Sequence, residues 1–146
     1  MRLSQILHGT GADVSALDDD PEITGVSYDS RKTRKGDLFV CIKGFASDGH
    51  KFAGNAVRSG AAAVLAQDRI DLRDVPVAYA PDTRHALAAV SANYFGHPTD
   101  DMLVFGVTGT NGKTTISYLV RAIIETSGRD CGVLGTIAYV YGGTSH

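Results

Sequence analysis

Ten consecutive residues, Gly106-Val107-Thr108-Gly109-Thr110-Asn111-Gly112-Lys113-Thr114-Thr115, carry the densest chemical signal in the chain. An apolar run, 102–107, leads into them. Ile116, Leu119, Val120, Ile123 and Ile124 follow at i, i+3, i+4, i+7 and i+8, and Gly128 stands behind. Strand, glycine-rich loop and helix start form the setting in which a loop cradles phosphates. Glycines let backbone N–H groups approach phosphate oxygens closely, and a helix N-terminus adds unpaired donors and partial positive charge. Lys113 supplies a mobile charge for β- and γ-phosphates, and the Thr114 hydroxyl can ligate a bridging Mg²⁺. The common loop pattern is GxxxxGK[ST]. Here five residues separate Gly106 from Gly112, so GxxGxxGKT is a variant. A Gly/Thr-rich turn with an exposed lysine is the alternative reading.

Other polar clusters carry less by themselves. Asp29-Ser30-Arg31 follows the apolar run 23–28 and reads equally as a strand-end turn held by an Asp–Arg pair, a surface interaction of at most about 1 kcal/mol. His8, His85 and His97 have no metal-ligand spacing and are expected at the surface. Cys41 and Cys131 are the only cysteines and form no CxxC pair, so neither a zinc site nor a disulfide framework is expected. Cys41, in an apolar run, is expected in the core. Asp18-Asp19-Asp20 lacks the EF-hand pattern and reads as a solvated turn.

The elements around these residues read as α/β. Leu3, Ile6 and Leu7 have helical spacing, stopped by Gly9 and Gly11. Strands are expected over 23–28, 38–42, 61–66 and 75–80. The second and third are continuous apolar runs expected to be buried on both faces, and Pro76 suggests an edge for the fourth. A helix is expected over 52–57, closed by Gly60, and another over 83–95, capped by Asp82 and stopped at Gly96-His97-Pro98. Past the joint Thr99-Asp100-Asp101, a strand over 102–107, the glycine loop, a helix and a strand over 131–140 are expected to make one βαβ unit. Two strands cannot bury such a helix, so the chain reads as a piece of a longer protein.

Composition bounds the function classes. The 146 residues are 43% apolar and 21% charged, enough for a packed core and too apolar for disorder. Net charge is −2, which gives no basic excess for nucleic acid. No apolar run approaches the ~20 residues of a membrane span, and MRLSQILHGTG lacks the apolar region of a secretory signal. A cytoplasmic setting is expected.

GVTGTNGKTT resembles the ATP loop of the Mur ligase family, the ATP-dependent amide ligases of peptidoglycan precursor synthesis; folylpolyglutamate synthases share a related loop. VSYDSRKTRKGDLFVCIKGFASDGHKF, followed by AVRSGAAAVLA, resembles the N-terminal domain of the ligases adding the third and fourth amino acids. GTNGKTT followed by GVLGTIAY is similar to the third-residue enzymes. The resemblance implies a UDP-substrate-binding α/β domain over 1–98. It implies that 99–146 opens, incompletely, a Rossmann-like central ATPase domain with its P-loop βαβ. The implied reaction phosphorylates the D-glutamate carboxylate of UDP-N-acetylmuramoyl-L-alanyl-D-glutamate with ATP. The amine of diaminopimelate or lysine then attacks the acyl phosphate. By the same resemblance Gly109, Thr110, Asn111, Gly112, Lys113, Thr114 and Thr115 would bind ATP, with Lys113 catalytic and Thr114 on Mg²⁺. Tyr28, Ser30, Phe45, Ala46 and Ser47 would contact the UDP part, although Tyr28 stands where an aliphatic residue is common. Arg31 is expected to be scaffold, and His50 a loop-capping or diphosphate-facing residue, since nothing pairs it with a nucleophile.

Two other classes remain open at this level. A stand-alone UDP-sugar-binding module would not need the unfinished sheet after Pro98. Of other P-loop enzymes, a small-molecule kinase would normally carry the four-residue loop spacing, and a folylpolyglutamate-type ligase would not carry the DSR and DGH segments ahead of its loop.

Overall fold

The computed structural model of the chain describes every residue except Ala16, Asp18, Phe45, Ala46, Gly143 and His146, and the side chain of Ser145. It divides into two compact units, Met1–Met102 and Leu103–His146.

The first unit is built on four strands, β1 (Gly25–Ser27), β2 (Asp37–Val40), β3 (Ala63–Ala66) and β4 (Val77–Tyr79), all parallel and in the order β1-β2-β3-β4. The continuous apolar runs become the two central strands, and every residue of both is buried. Alternation assigns their side chains to two layers. Leu38, Val40, Ala63 and Leu65 pack with helices α1 (Leu3–Ile6) and α3 (Thr83–Phe95). Phe39, Cys41, Val64 and Ala66 pack on the other face with α2 (Ala53–Arg58). β4 is an outer strand, as Pro76 suggested, and Asp13 adds an antiparallel bridge to its Tyr79.

Local signals set the helix ends. The Asp82 carboxylate accepts from the N–H groups of Arg84 at 2.9 Å and His85 at 3.0 Å, and Gly96 takes the left-handed conformation past Phe95. Asp20, expected in a solvated turn, instead takes the Ser4 N–H at 2.8 Å and its hydroxyl at 2.9 Å, fixing the start of α1. The alternation of helix and strand fails twice. β3 reaches its parallel neighbour β4 through 67–76 with no helix. β1 likewise reaches its parallel neighbour β2 through 28–36 with no helix. Because β1 is only three residues long, the chain has little length to retrace.

The second unit departs from the expected βαβ. Its helix α4 (Lys113–Thr126) forms, with an Arg121–Glu125 pair at 2.7 Å one turn apart. Residues 103–107 form no strand, however, and Leu103, Val104 and Phe105 are 78%, 66% and 59% exposed. The expected strand 131–140 is split into β5 (Val133–Leu134) and β6 (Tyr139–Tyr141), which pair antiparallel, with β7 (Thr144–Ser145) antiparallel on β6. The reason is partnership. A strand exists through its ladder, and no described residue offers 103–107 an edge, whereas 133–141 can fold back on itself. The glycine-rich loop is therefore a loop-to-helix unit here, and among the described residues no parallel strands flank it.

Candidate functional site

Because β1 to β4 are parallel, the segments leaving them emerge along one edge of the sheet. The carboxyl edge is where open α/β sheets place ligands. Tyr28 and Ser30 follow β1, Ser47 lies in the loop after β2, Gln67 and Asp68 follow β3, and Asp82 follows β4. The predicted UDP-facing residues that are described thus share one edge, on adjacent strands. Phe45 and Ala46 lie outside the described residues.

In the first loop the Asp29 carbonyl oxygen accepts from the Lys32 and Thr33 N–H groups and from the Ser27 and Thr33 hydroxyls. Among the described residues the Asp29 carboxylate accepts from Arg31 alone, at its N–H (3.0 Å), Nε (2.9 Å) and Nη2 (2.8 Å). Those Arg31 bonds pull the Asp29 carboxyl down to about 2 from its ordinary 3.8. Asp29 and Arg31 are scaffold for each other. Between them the half-exposed Ser30 hydroxyl makes no hydrogen bond to any described residue, and Tyr28 is 66% exposed. Thr33, buried and bonded to Ser27 at 3.1 Å, is a support that no motif announced.

The second loop is closed at its base. The Gly44 N–H donates to the Ser47 carbonyl and the Gly49 N–H to the Ile42 carbonyl, both at 2.9 Å, and Lys43 bridges Asp48. Glycine is required at position 49, where a Cβ would sit 2.6 Å from the Ile42 nitrogen. The Ser47 side chain is exposed and makes no hydrogen bond to a described residue. Asp48, His50 and Asp68 lie close enough together to suggest a metal site. The imidazole argues against it: Nδ1 lies 2.6 Å from the Asp48 carboxylate, and Nε2 accepts from the Gln67 and Asp68 N–H groups at 3.0 and 3.1 Å. No lone pair is left for an ion. His50 is thus a loop-capping residue and no general base.

In the second unit α4 begins at Gly112, whose φ of +77° favours glycine and which places no capping side chain over the helix start. The first intrahelical bond runs from the Ile116 N–H to the Gly112 carbonyl at 2.9 Å, so the N–H groups of Lys113, Thr114 and Thr115 precede the ladder. Lys113 Nζ curls onto the Gly109 carbonyl at 2.6 Å, inside the turn made by Thr110 and Asn111. A cleft of about 210 Å³ opens beside it, lined by Lys113, Thr114, Ser117 and Tyr118 and by the turn 135–138. The Thr114 hydroxyl makes no hydrogen bond to a described residue. Uncapped donors, a mobile ammonium and an unengaged hydroxyl fit a polyphosphate with its cation. Ser117 and Tyr118 were not read as site residues, because their positions on the helix gave no motif to find.

A larger open depression of about 530 Å³ lies elsewhere, lined by Met1, Ser4, Gln5, His8, Asn93 and His97. Its polar groups serve the fold. Asn93 Nδ2 donates to the Ile6 and His8 carbonyls, both at 2.8 Å, and its Oδ1 meets His97 Nε2 at 2.9 Å. Among the described residues no helix is long and apolar enough to cross a membrane.

Residues 22–101 match the Mur ligase family, catalytic domain, and residues 107–146 match the Mur ligase middle domain. The UDP-N-acetylmuramoyl-L-alanyl-D-glutamate–2,6-diaminopimelate ligase of Clostridium perfringens is 41% identical over 143 residues, which are 97% of this chain and 30% of that protein. The enzyme of the same name from Syntrophomonas wolfei is 50% identical over 119 residues, 81% of this chain and 24% of that one. The MurF ligase of Thermotoga maritima, solved in complex with ADP, superposes with a TM-score of 0.57 at 31% identity, covering 69% of this chain and 23% of that one. The chain therefore spans between 24% and 30% of the length of these two curated relatives. With both of its units matched, and at such identity to those ligases, the chain belongs to the Mur ligase family.

Proposed function

We propose that this chain carries the UDP-substrate site and the opening of the ATP site of an amide ligase. That ligase adds the third amino acid to UDP-N-acetylmuramoyl-L-alanyl-D-glutamate. The relatives named for 2,6-diaminopimelate favour that residue over lysine as the one added. The first unit would bind the nucleotide end through Tyr28, Ser30, Phe45, Ala46 and Ser47. Gly109 to Thr115 would hold ATP, with Lys113 on the γ-phosphate. Thr114 would hold Mg²⁺, which when bound neutralises charge on the phosphate oxygens. Lys113 and the helix start would position the phosphates, and catalysis of this kind rests mainly on positioning and charge neutralisation.

The observation that carries this reading is the pair of hydroxyls, Ser30 and Ser47. Both are unengaged by described residues and sit on neighbouring loops of one carboxyl edge. Titration of the chain with UDP-N-acetylmuramoyl-L-alanyl-D-glutamate, followed by calorimetry, tests it. Saturable binding that weakens in Ser30→Ala and Ser47→Ala supports the assignment, and no binding removes it. A stand-alone UDP-sugar-binding module is the competing reading, favoured by the closed two-layer core of the first unit. Phosphate release that requires this substrate, ATP and diaminopimelate together, by a ligase of the relatives' length carrying this sequence, decides between them.

A further inference from the structure

His50 joins two loops that are distant in sequence. Its side chain is 7% exposed, and its three hydrogen bonds run to three different residues. Two backbone N–H groups, of Gln67 and Asp68, point at Nε2. A nitrogen that accepts from two donors carries no proton. The ring is therefore neutral with its proton on Nδ1, donated to the Asp48 carboxylate at 2.6 Å. A ring protonated on Nε2 would set three donors against one another.

Everything around this ring closes the same loop. Asp48 also takes the His50 N–H at 3.0 Å, Lys43 Nζ reaches the Asp68 carboxylate at 2.6 Å, and Arg84 Nη2 donates to the Lys43 carbonyl at 3.1 Å. The loop that presents Ser47 is thus tied to the segments that follow β3 and β4, and the imidazole is a largely buried tie.

We propose that His50, locked in its Nδ1–H form between Asp48 and the Gln67–Asp68 amides, is a positioning residue for the nucleotide end of the substrate, holding Asp48 and with it the adjoining Ser47 toward that end. This rests on the reading above that the loop presenting Ser47 meets the UDP part.

Long-range ¹H–¹⁵N correlation on the chain labelled in its histidines reads the ring directly, with the His50→Gln spectrum assigning the signals. The expected result is an Nδ1–H ring with an unprotonated Nε2. An Nε2–H ring, or one averaging between forms, overturns the proposal. The same chain is then titrated with UDP-N-acetylmuramoyl-L-alanyl-D-glutamate. His50→Leu removes all three ring hydrogen bonds and should bind about tenfold more weakly, the equivalent of about 1.4 kcal/mol. His50→Gln can offer an oxygen to the two amides and should recover most of that loss. Equal affinity in wild type and His50→Leu overturns the proposal. Should His50→Leu not fold, a His50→Gln chain that folds and binds no better than Ser47→Ala overturns it as well. An Nδ1–H ring in a wild-type chain that binds no substrate defeats the substrate reading instead, and the role of His50 toward substrate falls with it.

Discussion

Among the described residues the carboxylate of Asp29 accepts all of its side-chain hydrogen bonds from one residue, Arg31, two positions away. The acid is spent on shaping the loop, which leaves Ser30 between them to face outward. A carboxyl that ionises at about 2 in the folded chain and at an ordinary 3.8 when free contributes stability that is fully present above 3.8 and is lost as pH falls through about 2. Asp29→Asn should therefore be less stable than wild type at neutral pH, with the difference shrinking to nothing across that window. Urea unfolding of both chains at stepped pH checks this. A difference that persists unchanged at the acid end would show that the carboxylate form is not what stabilises the loop.

Thr83 links α3 to the sheet. It is 1% exposed, and its hydroxyl donates to the Cys41 carbonyl at 2.6 Å, where β2 gives way to the Ser47 loop. Thr83→Val keeps the shape and removes the donor, leaving that carbonyl one bond short in a dry setting. The expected cost is about 1–3 kcal/mol. Thr83→Ser should recover most of it. Denaturant midpoints of the three chains measure both effects.

The two cysteines should differ sharply in reactivity. Cys41 is fully buried, and burial, with Asp48 adding to it, pushes its thiol up to about 12. At pH 8 such a thiol is thiolate in roughly one molecule in ten thousand. Cys131 is part-exposed. Iodoacetamide at pH 8 should alkylate Cys131 in the folded chain and reach Cys41 only in urea, as peptide mass mapping would show. Rapid native alkylation of Cys41 would mean that the face of the sheet packed against α2 opens readily.

What could be read from the sequence was local. The ends of α3 were legible because Asp82 and Gly96 act within a few residues of themselves. β2 and β3 were legible because a strand buried on both faces must be continuously apolar. The motif residues at the carboxyl edge were legible through family resemblance, whereas their supports were not. The His50 contacts join residues 17 and 18 positions apart, and the Thr83–Cys41 bond spans 42, so no window of sequence displays them. The expected strand over 102–107 failed for the converse reason. Its apolar pattern records what a strand would need, and only a neighbouring edge can turn that pattern into a ladder.

The apolar stripe of α4 is uncovered: Ile116, Leu119 and Ile123 are 48%, 59% and 71% exposed, and Leu103, Val104 and Phe105 are exposed in the same unit. Apolar surface of this extent promotes association. The chain should self-associate as its concentration rises. Ile123→Lys, which keeps a good helix former at that position, should shift it toward monomer. Sedimentation velocity over a concentration series reads the change. An Ile123→Lys chain that associates as wild type does would place the contact elsewhere.

Lys113 tests the phosphate site most directly. Among the described residues its exposed ammonium bonds one loop carbonyl, Gly109 O at 2.6 Å, and forms no ion pair. Lys113→Ala should leave the thermal unfolding of the first unit unchanged. In a ligase of the relatives' length carrying this sequence, it should cut turnover by about 10²-fold or more, the scale seen when a preorganised charge is withdrawn from a reacting group. Lys113→Arg keeps the charge but replaces a compact ammonium with a larger planar group, and it should recover only part of the rate. Turnover measured at saturating ATP separates the two effects. A loss confined to KM would make Lys113 a ground-state anchor, and a loss in kcat would place its charge on the group being transferred.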